Sequence, residues 1–456
     1  DEEASRSQAF RLYGTTFHCT GSIALSNGID GIARLAFCGN AYEKPVAFTI
    51  SGGTLVGGSA YNILRVADNV SVSFDGVIFS GGYSNVDNPA NYGAALNISA
   101  ASAKVSATNC SFTGNTAVDG GAVYIGAGTF QAHACTFTSN SASRYGGCFS
   151  LNGSNAVLFL NKCKVFENSA ASWGTTVNSG AGSTLAMNAT VFYDNSSTGG
   201  NDASMVLKSN TLMTNCTLIE NVGTYSLIRL EGTALSYLAN NIILATNASK
   251  DAVYMNSSSH NVVSRGGNLI GKLSGANISS AQAFGKNYSD VYNFKYSEMN
   301  NVSWNSASGA LSWDNSEIGG FHPYKLADVN NTFALAANGF GAWLSSVDAN
   351  ALTQDISGNS RTHAGLRPGA WEGSKLNKST GKPKLQHLMA YYQWGTNSKG
   401  VLVMSHRCHI NSENQSENSI SSGKQALQAG ADILEVDPRI TSDGEIVLCH
   451  NRSIEN

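Results

Sequence analysis

The chain has 456 residues, which is enough for several ordinary domains or for one long repeat domain with a smaller partner. Charged residues make up only 13% of it, whereas Gly alone supplies 48 residues; this composition excludes most helical proteins and favours an all-β chain with many tight turns. The formal net charge is −3, no run of Lys and Arg stands out, and no stretch approaches the roughly 20 apolar residues of a membrane-spanning helix, so neither a nucleic-acid partner nor a membrane span is indicated.

Residues 1–45 precede the clear repeats and are predicted to form the N-terminal cap of the domain that follows. The chain opens with Asp-Glu-Glu and no Met, as a mature exported protein would, although a gene fragment would begin in the same way. Cys19 and Cys38 lie outside the repeats and are the better candidates for a disulfide. We therefore expect a secreted or cell-surface protein.

A repeat of about 25 residues dominates the next part of the chain. Its most regular element has the pattern Cys-x-Phe-x-x-Asn, and the last position of this unit falls at Asn115, Asn140, Asn168, Asp194, Asn221 and Thr246. Apolar and polar side chains alternate within the unit, as in a strand with one buried face. Three short strands and three turns fill such a coil, and stacked coils about 4.8 Å apart would align the Asn side chains into an amide ladder. The sequence therefore predicts an all-β solenoid over residues 46–374.

Four cysteines occupy one column of this repeat, namely Cys110, Cys135, Cys163 and Cys216. Neighbouring strands of a solenoid give poor geometry for a disulfide, and a thiol is a small apolar group that suits a core. We therefore expect these four residues to be free, buried thiols.

The repeat resembles a known group of proteins. Phe-Thr-Gly-Asn at residues 112–115, followed by Gly-Gly-Ala-Val at residues 120–123, is similar to the FxxN and GGA repeats of bacterial surface β-helix proteins, including the chlamydial polymorphic outer-membrane family. The motifs at residues 355–361 and 367–372 resemble the closing segment of secreted bacterial β-helices. The resemblance implies a right-handed parallel β-helix at a bacterial surface, or secreted by a bacterium.

Many β-helices cleave polysaccharides, and such sites need several carboxylates on one outer face. The carboxylates of this repeat lie in different registers, whereas Asp355, Arg361, Arg367 and Glu372 fall in the closing segment, where an ion-pair cap is the expected role. A scaffold or a surface glycan-binding role is therefore favoured over a lyase or hydrolase, and no cofactor is expected for the solenoid.

The composition of the chain changes near residue 375, and the repeat ends there. Residues 375–400 begin basic and polar, without a repeat, and are predicted to be a linker. Residues 401–456 then show an apolar strand at 401–405, a helix at 416–429 and further strands at 433–437 and 446–450. This order is typical of the start of an α/β domain.

Polar side chains stand at the ends of these predicted strands: His406, Arg407, Glu435, Asp437 and His450. In a (β/α)₈ barrel the catalytic groups come from the carboxyl ends of the strands. Carboxylates two residues apart suit a hard cation such as Ca²⁺ or Mg²⁺, two histidines suit an acid and a base, and an Arg suits a phosphate. The pattern favours metal-assisted chemistry on a phosphate ester.

These residues closely resemble the opening of the glycerophosphodiester phosphodiesterase family. Further matching segments lie at residues 417–419, 426–432, 441–444 and 447–450. The resemblance implies a TIM-type barrel in which His406 and His450 are the acid–base pair and Arg407 binds phosphate. It implies that Glu435 and Asp437 bind the metal, and that the substrate is a glycerophosphodiester.

Two positions depart from the family pattern, since Cys408 stands where Gly is usual and Asn451 where Asp is usual. The family's barrel also needs about 200 further residues, with another acidic ligand and a Lys, so residues 401–456 alone are expected to be inactive. Two interpretations stay open. The chain is part of an exported enzyme that its β-helix targets, or it is a surface or adhesion protein for which the phosphodiesterase segment is incidental.

Overall fold

A computed structural model of the chain falls into two compact units, residues 1–392 and 393–456. The structure describes the residues in the following ranges: 16–18, 22–24, 35–37, 46–58, 61–66, 70–199, 203–220, 226–275, 290, 292–293, 295, 300–305, 310–314, 339–361, 369–371, 404–408, 417–428, 433–441 and 445–450. Cys19, Cys38 and the predicted linker at 375–400 lie outside the described residues.

The first unit is built almost entirely from short strands. In chain order they are β1 (Thr16–His18), β2 (Ser22–Ala24), β3 (Leu35–Phe37), β4 (Val46–Ser51), β5 (Thr54–Val56), β6 (Leu64–Val66), β7 (Val70–Asp75), β8 (Ile78–Ser80), β9 (Tyr83–Ser84), β10 (Leu96–Thr108), β11 (Ser111–Thr113), β12 (Thr116–Asp119), β13 (Val123–His133), β14 (Thr136–Thr138), β15 (Ser141–Tyr145), β16 (Phe149–Leu151), β17 (Ala156–Asn161), β18 (Lys164–Phe166), β19 (Ser169–Ala170), β20 (Val177–Ser179), β21 (Thr184–Asn188), β22 (Val191–Tyr193), β23 (Ser196–Ser197), β24 (Met205–Leu207), β25 (Asn210–Thr214), β26 (Thr217–Glu220), β27 (Ser226–Leu230), β28 (Leu235–Ala239), β29 (Ile242–Ala245), β30 (Asp251–Met255), β31 (Asn261–Gly266), β32 (Leu269–Ile270) and β33 (Lys272–Gly275).

These strands stack in parallel on the equivalent strands of the neighbouring coils. One sheet of ten described strands runs β2-β5-β8-β11-β14-β18-β22-β26-β29-β32, and a sheet of five described strands runs β9-β12-β15-β19-β23. A larger sheet of 18 described strands holds the remaining limbs of the coils, including the long strands β10 and β13. The predicted parallel β-solenoid is confirmed. Strands β1, β2 and β3 pair in parallel with β4, β5 and β6, so the stacking begins within the stretch for which the sequence indicates only a cap.

The repeat places the same side chain at the same level of each coil. Phe79, Phe112 and Phe137 pair in register and are fully buried, with ring centroids 4.6 Å and 4.7 Å apart. The four cysteines of the repeat column are buried and free, as the sequence predicts. The core is therefore a set of stacked apolar columns, which a single coil could not bury alone.

The predicted ladder of asparagine amides runs through one turn of the coils. Asn115 donates from Nδ2 to Oδ1 of Asn140 (2.8 Å), Asn140 donates to Asn168 (2.9 Å), and Asn168 donates to Asn195 (2.9 Å). The assignment of Asp194 to this column is wrong by one residue. Asp194 has φ +54° and occupies the left-handed position just before the ladder residue, the position that Gly114 holds in its own coil with φ +63°.

An antiparallel hairpin and a helix follow the coils: β34 (Asn300–Asn305), β35 (Ala310–Asp314) and α1 (Phe340–Val347). We call residues 339–361 and 369–371 the strap, because they lie along the side of the solenoid. Phe340 and Trp343 pack on Phe159, their ring centroids 5.0 Å and 5.6 Å from its own. Further along, the backbone nitrogen of Ala370 donates to Thr217 Oγ1 at 2.9 Å.

The two described members of the predicted ion-pair cap hold the strap together through backbone groups. The Asp355 carboxylate accepts hydrogen bonds from the backbone nitrogens of Ser357 and Asn359, both at 2.8 Å. Arg361 donates to the carbonyl oxygens of Gln354, Gly369 and Ala370. Their role is structural; Arg367 and Glu372 lie outside the described residues.

The second unit has four described strands and one described α-helix: β36 (Met404–Ser405), α2 (Ile420–Gln428), β37 (Ile433–Leu434), β38 (Pro438–Ile440) and β39 (Ile446–Leu448). Strands β36 and β37 are parallel and α2 lies between them in the chain, as predicted. Strand β39 departs from the predicted parallel order because it pairs antiparallel with β38. The reason is the loop length, since only residues 441–445 separate β38 from β39 and a parallel crossover needs about a dozen residues.

Candidate active site

The site begins where β36 ends. The backbone nitrogen of Glu435 donates to the Ser405 carbonyl (3.0 Å), and the Cys408 nitrogen donates to the Glu435 carbonyl (3.1 Å), so the turn at residues 406–408 is fastened to the end of β37. Arg407 and Cys408 have φ +50° and +55°, in the left-handed region where glycine is favoured. This backbone conformation gives a physical reason why a Gly would suit the position that Cys408 holds.

Arg407 is the centre of the polar group. Its Nη1 lies 3.0 Å from Glu417 Oε2, its Nη2 lies 2.8 Å from His450 Nε2, and its Nε lies 3.9 Å from Asp437 Oδ2. A guanidinium has five N–H donors and no acceptor, so one side chain can face three partners at once. Arg407 thus joins the end of β39, the start of α2 and the residues after β37.

His406 and Glu435 form the other half of the group. Oε2 of Glu435 accepts a hydrogen bond from the Arg407 backbone nitrogen at 2.7 Å and lies 3.9 Å from Nε2 of His406. The His406 side chain is 70% exposed, so it is open to a substrate from solvent. All five residues expected at the site therefore lie in one cluster that is linked through Arg407.

Two further residues take part, Glu417 and Asn418. The sequence comparison covers both of them at 417–419 but gives neither a role. Glu417 pairs with Arg407, as described above, and Asn418 exchanges two hydrogen bonds with Asp437: it accepts from the Asp437 nitrogen (3.0 Å) and donates to Oδ2 (3.1 Å). Asn418 is also marked by its backbone, because its φ of +57° lies in the left-handed region.

The donor set of the site suits a hard divalent cation in part. Glu435 and Asp437 offer carboxylate oxygens from the short segment between β37 and β38, and their side chains are 33% and 26% exposed. Such oxygen ligands are those that Ca²⁺ and Mg²⁺ prefer. Within the ranges that the structure describes, no group of three or more His, Cys, Asp and Glu side chains could hold a metal ion by itself. The pair fits as part of a ligand set.

Several charged side chains of the described coils pair with one another. Arg144 forms two hydrogen bonds with Asp119, at 2.9 Å and 2.7 Å, and this contact raises the pKa of its guanidinium. Lys208 and Arg229 both pair with Glu231, at 3.1 Å and 2.6 Å. The pairs of Arg144 with Asp119 and of Lys208 with Glu231 join neighbouring coils.

Comparison with known proteins gives two family matches. Residues 406–456 match the Glycerophosphoryl diester phosphodiesterase family, and residues 109–126 match the Chlamydia polymorphic membrane protein repeat. A glycerophosphodiester phosphodiesterase from Caldanaerobacter subterraneus subsp. tengcongensis is 39% identical over 55 residues, which cover 12% of this chain and 22% of that protein. The chain thus spans about a fifth of the length of this relative.

No solved structure matches the chain significantly. In the described part of the chain, none of the helices is long and apolar enough to cross a membrane. Along the chain, a parallel β-solenoid with a segment similar to the Chlamydia polymorphic membrane protein repeat is followed by a segment that matches the Glycerophosphoryl diester phosphodiesterase family.

Proposed function

We propose that residues 401–456 belong to a catalytic module that hydrolyses a glycerophosphodiester with the help of a divalent cation. The observation that supports this best is the position of Arg407, which lies within 4 Å of both Asp437 and His450 while its backbone binds Glu435. A guanidinium at the centre of carboxylates and an imidazole is suited to a phosphate ester, because it can bind two phosphate oxygens side by side.

The hydrogen bonds support the role of base for His450 and the role of acid for His406. Arg407 Nη2 can only donate, so Nε2 of His450 accepts and carries a lone pair. When a phosphate oxygen replaces His450 as the acceptor of the Arg407 hydrogen bond, this lone pair is free to accept a proton from the attacking water. His406, exposed beside Glu435, gives its proton to the alcohol oxygen as the phosphorus–oxygen bond breaks. The products are an alcohol and a glycerol phosphate.

Glu435 and Asp437 would hold the cation, Ca²⁺ or Mg²⁺. When bound, it would neutralise charge on the phosphate. Since the matched segment spans only 22% of the relative's length, we further propose that residues 401–456 do not complete the site and that the chain of 456 residues is inactive by itself.

We infer that the solenoid acts as the targeting or binding scaffold of a bacterial surface or secreted protein. The polymorphic membrane protein repeat at residues 109–126 supports this inference. A surface glycan is the partner that we expect for it. The alternative, a surface or adhesion protein without enzymatic activity, rests on the same repeat.

The test is hydrolysis of glycerophosphocholine with added Ca²⁺ or Mg²⁺, by the 456-residue chain and by the product of the full reading frame of its gene. We expect activity only in the second protein, and its loss in the His406→Ala variant. A full-length protein that folds, takes up the cation and leaves glycerophosphocholine intact would contradict the enzyme proposal and favour the adhesion alternative.

A further inference from the structure

Asn418 is a buried polar residue of the second unit. It lies two residues before α2, is 8% exposed, and has φ +57°. Among residues with a β-carbon, Asn is one of the few that adopt this left-handed conformation readily. This position therefore requires a residue that adopts a left-handed backbone, and the side chain that it carries is buried.

Three hydrogen bonds tie Asn418 to the candidate site. Its backbone nitrogen donates to the Arg407 carbonyl at 2.7 Å. Its Oδ1 accepts from the Asp437 nitrogen at 3.0 Å, and its Nδ2 donates to Asp437 Oδ2 at 3.1 Å. The side chain must accept and donate at the same time, which an amide does through its oxygen and its nitrogen and an ionised carboxylate does not.

The effect is to fix the rotamer of Asp437. A carboxylate on a half-exposed side chain can rotate, and rotation costs affinity when the group must meet a ligand in one orientation. With the backbone nitrogen and Oδ2 of Asp437 both bound to Asn418, the carboxylate plane is set relative to Arg407 and Glu435. The arrangement resembles the outer partners that orient the ligands of metal sites.

We propose that Asn418 is a positioning residue that sets the affinity of the site for a divalent cation by orienting Asp437. The inference rests on the proposed function, because it takes Asp437 to be a cation ligand. It adds a residue to which neither the sequence pattern nor the site geometry assigned a role in catalysis.

The informative variant is Asn418→Gly. Glycine adopts the left-handed conformation without strain and keeps the backbone donor to Arg407, so only the two side-chain bonds to Asp437 are lost. Ser419→Ala is the matched control, because the neighbouring Ser419 hydroxyl accepts a hydrogen bond from the Ser422 backbone nitrogen and so caps α2. Both variants and the wild type, each made as the product of the full reading frame of the gene, are titrated with Ca²⁺ alone by equilibrium dialysis.

We expect the dissociation constant for Ca²⁺ to rise by about 10- to 100-fold in Asn418→Gly, as for other outer partners of metal ligands, and to stay unchanged in Ser419→Ala. Equal affinity in Asn418→Gly and wild type would overturn the proposal. So would an equal loss in both variants, which would trace the effect to the start of α2.

A second measurement needs no variant. In the wild-type full-length protein, saturating Ca²⁺ should slow amide hydrogen exchange in a peptide that spans residues 433–441 and leave residues 420–428 unchanged. No slowing, or no binding of Ca²⁺ by the wild type, would also overturn the proposal. Binding of Ca²⁺ without phosphodiesterase activity in the full-length protein would remove the proposed enzyme but leave the role of Asn418 standing.

Discussion

Asn195 donates a hydrogen bond from Nδ2 to Oε1 of Glu220 at 2.8 Å, so the column of stacked amides passes to a carboxyl group in the interior of the solenoid. Glu220 is fully buried. Its burial raises the pKa of the carboxyl to about 7, while hydrogen bonds from Asn195 and Ser204 act in the opposite direction. A titrating group within the core makes the stability of the solenoid depend on pH.

The first prediction concerns Glu220→Gln. The folded-state pKa of about 7 lies above the ordinary value of 4.5, so the native state holds the proton more tightly. Stability from this group is therefore complete below pH 4.5 and falls as the pH rises to 7, by about 3 kcal/mol at ~1.4 kcal/mol per unit. Because Gln keeps the acceptor for Asn195 without the charge, the variant should be more stable than wild type at pH 8 and equal at pH 4.

Urea unfolding of the variant and the wild type at pH 4, 6 and 8 checks this expectation. Glu167→Gln is the control, because Glu167 is exposed and lies at the same turn of another coil. Parallel pH profiles for wild type and Glu220→Gln would show that Glu220 is not the group responsible.

The second prediction concerns the interior of the ladder. Asn140 donates to the Phe112 carbonyl and to Asn168, both at 2.9 Å, and accepts from the Asn115 side chain at 2.8 Å. Asn140→Ala leaves these buried partners unsatisfied, so we expect a loss of about 3 kcal/mol in the free energy of unfolding. The measurement is urea unfolding at fixed pH.

The exposed Asn152 offers a control, since Asn152→Ala removes one bond at 3.3 Å to the Tyr124 hydroxyl. We expect that variant to stay within about 0.5 kcal/mol of wild type. Similar losses in the two variants would mean that the amide column adds nothing beyond an ordinary surface contact.

A third prediction tests the docking of the strap. Gly358 and Gly369 have φ +85° and +92°, so an added β-carbon is strained at both, but only at Gly369 would it meet neighbours: Thr217 Oγ1 at 2.5 Å and Ile242 Cδ1 at 2.8 Å. Gly369→Ala should therefore detach the end of the strap, whereas Gly358→Ala adds backbone strain alone. The difference between the variants isolates the contact.

Limited proteolysis of residues 339–371 provides the readout. We expect cleavage to be faster in Gly369→Ala than in Gly358→Ala, and slowest in the wild type. Equal rates in the two variants would indicate that strain, and not the contact with Thr217 and Ile242, controls the strap.

The fourth prediction concerns Arg407→Lys in the full-length protein. Lys keeps the charge, but its single ammonium group cannot face Glu417, His450 and a phosphate with a planar fork. We expect the KM for glycerophosphocholine to rise by about 10-fold or more, in line with ~1.4 kcal/mol per factor of ten. Steady-state kinetics checks this, with exposed Lys424→Ala on α2 as the control. An unchanged KM would exclude Arg407 as the phosphate ligand.

The periodic part of the fold was predictable because stacking forces equivalent positions to be alike. The repeated Phe and Cys positions therefore made the solenoid predictable from the sequence alone. The predicted register was wrong by one residue at Asp194, because Thr190 stands in that coil where other coils have the Cys that marks the repeat. A shift of one residue exchanges the two faces of a strand. Periodicity gives no warning of such a shift.

Contacts between segments that are distant in the chain could not be predicted from the sequence. The strap follows no repeat, and its packing on Phe159 depends on shapes that only the folded coils create. At the candidate site, the strand-end pattern predicted which residues would cluster, but their roles stay predictions. Asn418 was missed because its importance lies in two hydrogen bonds to Asp437, which no spacing reveals.

The strap has a consequence for how the chain matures. Phe159, Ala186 and Leu212 form an apolar patch on the outside of three successive coils, and α1 covers that patch from about 130 to 190 residues later in the chain. During synthesis from the N-terminus, these coils are made before the helix that covers them. The new solenoid thus exposes an apolar patch on one side for a time, and this patch favours aggregation until the strap packs on it.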